Sequence, residues 1–387
     1  MFPILRVLAV ADPAVYAYTD QRYRIIGTFN EVKNTMVDFK IVPWAEYYPR
    51  MIEALEGKAD FDIVMAAGHL WPKDFATKGY IDEVAFPDTP SYNRMDILQP
   101  IREELTLDGK PYLYPSFCDG HVLLYRKSAA EKAFGGPLPE VVDPDTVISL
   151  ASRLHGEDGM AGISMKAHES EIFLDFLPYL RSEGIDAFDE HTHEPCFYQE
   201  KGIKALEKYL SLKDLAPRHV HMYGNDEVRE SFQKKQAALA ITWGGQLGFV
   251  MDDRCLEKED VGFAAISTAW NVTWGFAINK KSANKQLANE FLGYLSSPPI
   301  DRIVGSYSGA PVRESSYEEN REDHPWYPVL HHSIREYARP LPKMEDAGER
   351  LAPLYTHIHK AFTGDLAPGD ALKAAEDEIL KINSREK

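Results

Sequence analysis

Short apolar runs and amphipathic stripes alternate through the first hundred residues. Leu5–Ala11 is an apolar run closed by Asp12-Pro13, as expected of a strand buried on both faces. Tyr23, Ile26 and Phe29 recur at helical spacing; Val37, Phe39 and Ile41 then alternate in a second strand that stops at Pro43. Over residues 46–56 the spacing predicts a helix with Tyr48, Met51, Ile52 and Leu55 on its buried face, Pro49 early and Gly57 at its stop. Asp62–Ala67 reads as a third buried strand leading into the loop Gly68-His69-Leu70-Trp71-Pro72 and another helical stretch. Strands and helices alternating at this pace predict βαβ units and a parallel sheet.

Beyond residue 105 the pattern changes. Asp108-Gly109-Lys110 reads as a turn, Pro111–Ser116 as an extended segment and Val122–Arg126 as a separate strand. Gly202–Leu212 is helical, with Ile203, Leu206 and Leu210 on one face; Ala237–Trp243 and Val261–Ile266 are apolar strands, and Trp274, Phe276 and Ile278 alternate in another. Residues 284–296 and two stretches in the last forty residues are helical. The fold class expected is therefore α/β. No repeat, heptad pattern or long linker interrupts the chain.

Composition narrows the function. With 387 residues the chain is long enough for two to three domains of roughly 150 residues each. The net charge of -17 repels phosphate backbones, so no nucleic-acid partner is expected. No apolar run reaches the roughly 18 residues of a spanning helix. The opening segment is read as a strand rather than a signal peptide or anchor, and no lipidation motif is read at either end. Cys118, Cys196 and Cys255 are scattered and odd in number, which fits buried small hydrophobes better than disulfides or a zinc site.

Chemical motifs mostly fail. Neither phosphate-cradling glycine pattern is present, so no nucleotide or other cofactor is expected. Gly305-Ser306-Tyr307-Ser308-Gly309 carries tyrosine where a nucleophile elbow needs serine. The pairs His191/His193, His219/His221, His331/His332 and His357/His359 lack the further convergent ligands of a metal centre, so no metal is expected. Asp119, between the extended segment and strand Val122–Arg126, is placed to accept hydrogen bonds from ligand hydroxyls, or else to cap a turn. Trp44, Trp71 and Trp243 follow strands, and Trp270 and Trp274 flank the next chain crossing. Ligands of open parallel sheets bind beyond the carboxyl ends of strands. Flat aromatic faces there suit the C–H faces of sugar rings, although core packing is the ordinary use of any one tryptophan.

An ordered series of short motifs resembles a known family. It includes Glu56-Gly57-Lys58-Ala59-Asp60-Phe61-Asp62-Ile63-Val64, Phe75–Ile81, and Asp108-Gly109-Lys110-Pro111-Tyr112-Leu113-Tyr114-Pro115 with Leu123–Lys127. Phe232–Ile241, Ala277–Ser282 with Phe291-Leu292, Gly309-Ala310-Pro311-Val312-Arg313 and Phe362-Thr363-Gly364 continue it. Together these resemble extracellular solute-binding proteins of ATP-binding-cassette importers, of the maltose-binding type. Arg126 and Gln236 depart from the usual Asn and Lys.

The resemblance implies a periplasmic-binding-protein-like fold of two discontinuous α/β lobes around a hinge and cleft, residues 1–116 with 267–311 and residues 117–266 with 312–387. It implies reversible sugar binding by hinge closure without catalysis, permease subunits as partners, a monomer, and an extracytoplasmic location. Mapped by position, the ligand-binding residues would be Asp12, Tyr16, Trp44, Gly68 and His69 on one lobe and Phe117 and Asp119 at the hinge. Trp243, Gly244 and Glu171 or Phe173 would come from the other lobe, and Trp274 from the last crossing. Two other classes stay open: a glycoside-acting enzyme using paired carboxylates, and a module that binds a peptide or protein.

Overall fold

The computed structural model describes residues 3–384. Two compact units emerge. The first holds the chain up to Asp119, Val272–Tyr327 and Lys343–Glu345; the second holds Gly120–Asn271, Pro328–Pro342 and the chain from Asp346 onward.

In the first unit the strands Met36–Val42, Ile4–Val10 and Ile63–Ala67 lie parallel in that spatial order, with Ile4 opposite Met36 and Val7 opposite Ile63. The strand Asn271–Asn279 runs antiparallel beside Ile63–Ala67 and sets Trp274 opposite Ala67. Apolar side chains on both faces explain the uninterrupted burial of Ile63–Ala67. Helix Pro13–Thr19, not among the elements expected from the sequence, follows the first strand directly. Pro13 occupies the first turn, and the Asp12 carboxylate accepts the Ala14 N–H at 2.9 Å.

Helix Trp44–Leu55 forms as expected but turns a different face inward. It buries Tyr47, Met51, Ala54 and Leu55, while Tyr48 is 49% exposed. The Tyr47 hydroxyl decides the rotation. It accepts the Met65 N–H at 2.8 Å and donates to the Met65 carbonyl at 2.6 Å, stitching the helix to the central strand.

In the second unit Ala237–Trp243 pairs antiparallel with the strand Tyr114–Arg126, so that Trp243 faces His121. Val261–Ile266 flanks the other edge of that strand, and Ala161–Ser164 lies parallel to Ala237–Trp243. Helices Ile172–Ser182, Glu200–Leu210, Ala347–Thr363 and Pro368–Asn383 pack together around Phe176, Tyr209 and Phe362. Among the described residues, no helix is long and apolar enough to cross a membrane.

Three expectations change. The segments around 111–116 and 122–126 are one strand, Tyr114–Arg126, buried along its whole length, so Asp119 lies within a strand rather than in a turn. The expected limits at 116, 266 and 311 fall instead at 119, 271 and 327. Residues 312–327 stay with the first unit because the buried Arg313 guanidinium donates there to the carbonyls of Ser296 (2.8 Å), Tyr92 (2.9 Å) and Asn93 (3.0 Å). Cys118 and Cys255 are buried as expected of small hydrophobes, whereas Cys196 is half-buried.

Candidate functional site

In the first unit, a helix start, the loop after Ile63–Ala67 and residues inside the strands Asn271–Asn279 and Tyr114–Arg126 assemble an aromatic face. Trp44 opens helix Trp44–Leu55 and is 44% exposed. Its ring lies 5.7 Å from Trp71 and 5.9 Å, edge-on, from Trp274. Tyr48, one helical turn after Trp44, stacks on Trp71 at 5.7 Å, and Phe117 stacks on Trp274 at 6.1 Å and 12°. Buried Trp71 and Phe117 therefore back an outer layer made of Trp44, Tyr48 and half-buried Trp274. Such amphipathic rings offer flat apolar contact together with polar edges.

Two carboxylates belong to the same unit. Asp12, capping its helix at the end of the first strand, has its pKa raised well above the usual carboxylate range, first by burial and then by the negative charge of Asp119. Asp119 is itself buried. Tyr16, on the helix that Asp12 caps, is 40% exposed.

Gly68 follows the third strand, and its N–H donates to the Thr273 carbonyl beside Trp274 at 2.9 Å. His69 is buried, which pushes its pKa down to about 3, so its ring is neutral at any physiological pH. Beneath Gly68 lies Glu104. Burial raises its pKa to about 7, against the lowering effect of its Thr273 hydrogen bonds and of Lys343. The structure thus gathers the predicted residues Asp12, Tyr16, Trp44, Gly68, His69, Phe117, Asp119 and Trp274 into the first unit. It adds Trp71, Tyr48 and Glu104.

The second unit carries a different chemistry. Trp243 ends its strand 4% exposed, with the Lys166 ammonium 3.8 Å from its ring centre and the rings of His121 and Trp270 edge-on at 4.7 and 5.3 Å. Lys166, wholly buried, donates to the Ile241 carbonyl at 3.0 Å and stands 3.7 Å from the Asp175 carboxylate. Burial lifts Asp175 to about 6 while Lys166 pulls the other way; its second oxygen accepts the Tyr209 hydroxyl at 3.3 Å. His121 accepts the Trp270 N–H at 3.1 Å and is held neutral, by burial first and then by the charges of Lys166 and Arg181.

These contacts correct the reading of Trp243 as an open platform, because an ammonium covers one of its faces. Phe173 is likewise no ligand wall. It is fully buried and packs edge-on against Tyr355 at 5.4 Å. Glu171 stands half-buried just before helix Ile172–Ser182, and Gly244 is buried in the turn that follows Trp243.

Tyr48, expected on the buried face of its helix, was missed; its i+4 spacing to Trp44 is the signal that could have found it. Nothing in the local pattern pointed to Glu104 or Lys166, each a buried charged residue.

The sequence model of bacterial extracellular solute-binding proteins matches residues 12–301. The chain belongs to this family. Among curated relatives of this solute-binding protein, a probable amino-acid ABC transporter periplasmic-binding protein, y4oP of Sinorhizobium fredii, is 21% identical over 371 residues, covering 92% of this chain and 85% of the relative. The mannitol-binding protein of Pseudomonas aeruginosa is 26% identical over 326 residues, covering 75% of this chain and 73% of the relative. Among solved structures, maltose-bound MalE3 of T. maritima superposes with a TM-score of 0.86 at 20% identity, covering 98% of this chain and 99% of the other. The α/β, periplasmic-binding-protein-like fold class expected from the sequence is therefore the one observed.

Proposed function

We propose that this solute-binding protein captures a sugar or sugar alcohol outside the cytoplasm and delivers it to the permease of an ATP-binding-cassette importer, as a monomer and without changing any bond in the ligand. The observation that carries this reading is the face of Trp44, Tyr48 and Trp274 in the same unit as Asp12 and Asp119. Indole and phenol rings match the C–H surface of a polyol, and carboxylates accept from its hydroxyls. The mannitol-binding relative supports the same ligand class. Phe173, fully buried, leaves the binding set in this reading.

A second reading rests on Asp12. Burial first and then the nearby Asp119 favour its protonated form, and a glycoside-cleaving acid requires a carboxyl of that kind.

One experiment separates the two. Isothermal titration with D-mannitol, ribitol and maltose, and with amino acids as the competing class, is run beside product analysis. Heat from a sugar or polyol with no product is expected. Heat from amino acids alone overturns the ligand class, and product formation overturns the absence of chemistry. For Trp44→Ala the expected result is at least tenfold weaker binding, about 1.4 kcal/mol. The circular dichroism spectrum should be unchanged, because so exposed a ring leaves little cavity. Affinity within twofold of the parent protein removes Trp44 from the site.

A further inference from the structure

Glu104 lies outside every expected binding position, yet it is built into the support of that face. Only 4% of it is exposed. One carboxylate oxygen, Oε2, accepts the Thr273 N–H at 2.8 Å, next to Trp274. The other, Oε1, has no hydrogen-bond partner among the described residues and faces Gly68. A Cβ placed on Gly68 would come within 2.4 Å of Oε1 and 2.9 Å of the carboxyl carbon, so residue 68 is glycine because Glu104 fills the space a side chain needs.

We propose that Glu104 is a positioning residue for ligand binding: its carboxyl group forms the floor under Gly68 and holds the Thr273 amide, setting the loop Gly68–Trp71 and the Trp274 ring in register. The inference rests on the proposed ligand-binding role of the Trp44–Trp274 face.

The surroundings explain why this floor responds to pH. Lys343 is the nearby cation; its ammonium is committed to the carbonyls of Glu103 (2.6 Å) and Thr106 (2.7 Å). Glu103, Asp108 and Lys73 complete the charges around Lys343, and Lys73 is paired with Asp108 at 2.8 Å. On the loop itself, His69 is neutral. An ionised Glu104 therefore presents an unsolvated oxygen to the Gly68 backbone, and the loop relaxes away from it. A protonated Glu104 lets the loop close down. Binding weakens as pH rises through about 7.

The test uses the full chain and the sugar or polyol that gives heat with the parent protein, and pairs that titration with a readout that needs no ligand. Gly68→Ala is expected to weaken binding at least tenfold. The same substitution in a Glu104→Ala background should recover most of that loss, because the atoms it collides with are gone. In Glu104→Gln, which stays neutral, both the pH dependence of affinity between pH 5.5 and 8.5 and the tryptophan fluorescence transition of the ligand-free protein near pH 7 should disappear. Absence of rescue together with an unchanged fluorescence transition in Glu104→Gln overturns the role of Glu104. Parent protein that binds no sugar or polyol but shows the Glu104-dependent fluorescence transition overturns the ligand reading and leaves the positioning of the loop supported.

Discussion

Lys166→Met is expected to destabilise the protein by about 3–5 kcal/mol at pH 8. Lys166 and Asp175 are both essentially without solvent exposure, and their charged atoms are 3.7 Å apart. Removing the cation leaves a carboxylate buried among Phe176, Tyr179 and Tyr209, with the Tyr209 hydroxyl as its remaining side-chain donor. The ammonium also sits over the Trp243 ring, a contact of about 2 kcal/mol when desolvated.

The loss should shrink toward pH 5. Asp175 already titrates near 6 with its partner in place, so without Lys166 it takes up a proton more readily, and in acid the variant no longer buries a lone charge. Replacing both residues, Lys166→Met with Asp175→Leu, should recover most of the stability, since a well-packed apolar pair matches a buried ion pair. Urea unfolding followed by circular dichroism at pH 5 and pH 8 measures all three proteins. A loss under about 1 kcal/mol at pH 8, or one equal at both pH values, would contradict the pairing.

The second large effect belongs to Glu104. Its pKa rises from 4.5 in the unfolded chain to about 7 in the folded protein, chiefly by burial. Below pH 4.5 both states carry the proton, and the group costs nothing. Between 4.5 and 7 the unfolded chain ionises while the folded protein does not. The stability Glu104 contributes is thus fully present in acid and is lost as pH rises through the folded value. The shift corresponds to about 3 kcal/mol. Glu104→Gln carries no such titration. Its stability relative to the parent protein should therefore improve by about 3 kcal/mol between pH 4 and pH 8, whatever offset the amide itself introduces. Asp12 and Asp301 are also raised by burial and are common to both proteins, so they cancel in the difference. A difference independent of pH in urea titrations would rule out a buried, proton-holding Glu104.

Part of the secondary structure was legible from residue spacing alone, although the strand Ala161–Ser164 was not read and Tyr114–Arg126 was read as two pieces. Asp12-Pro13 closes the first strand, Asp108-Gly109 makes the turn between the short strands Thr106–Leu107 and Lys110–Pro111, and the run Ala237–Trp243 is a strand with the same ends in the fold. These signals are local. A cap, a left-handed turn or an apolar run acts within a few residues of itself and reads the same in any context. The aromatic face was partly legible for the same reason, because Trp44 and Trp71 follow strand ends, whereas Trp274 lies inside the strand Asn271–Asn279.

What no spacing rule reached was the choice among buried partners. Tyr47 rather than Tyr48 turned inward because the backbone of Met65 offered it both a donor and an acceptor. Phe173 went to the core against Tyr355, and Trp243 received a lysine over its face. Glu104 and Thr273 meet across 169 residues of chain, and Lys166 and Ile241 across 75. Periodicity says which side chains share a face. The groups that satisfy a buried charge come from distant parts of the chain, and only packing brings them within hydrogen-bonding reach.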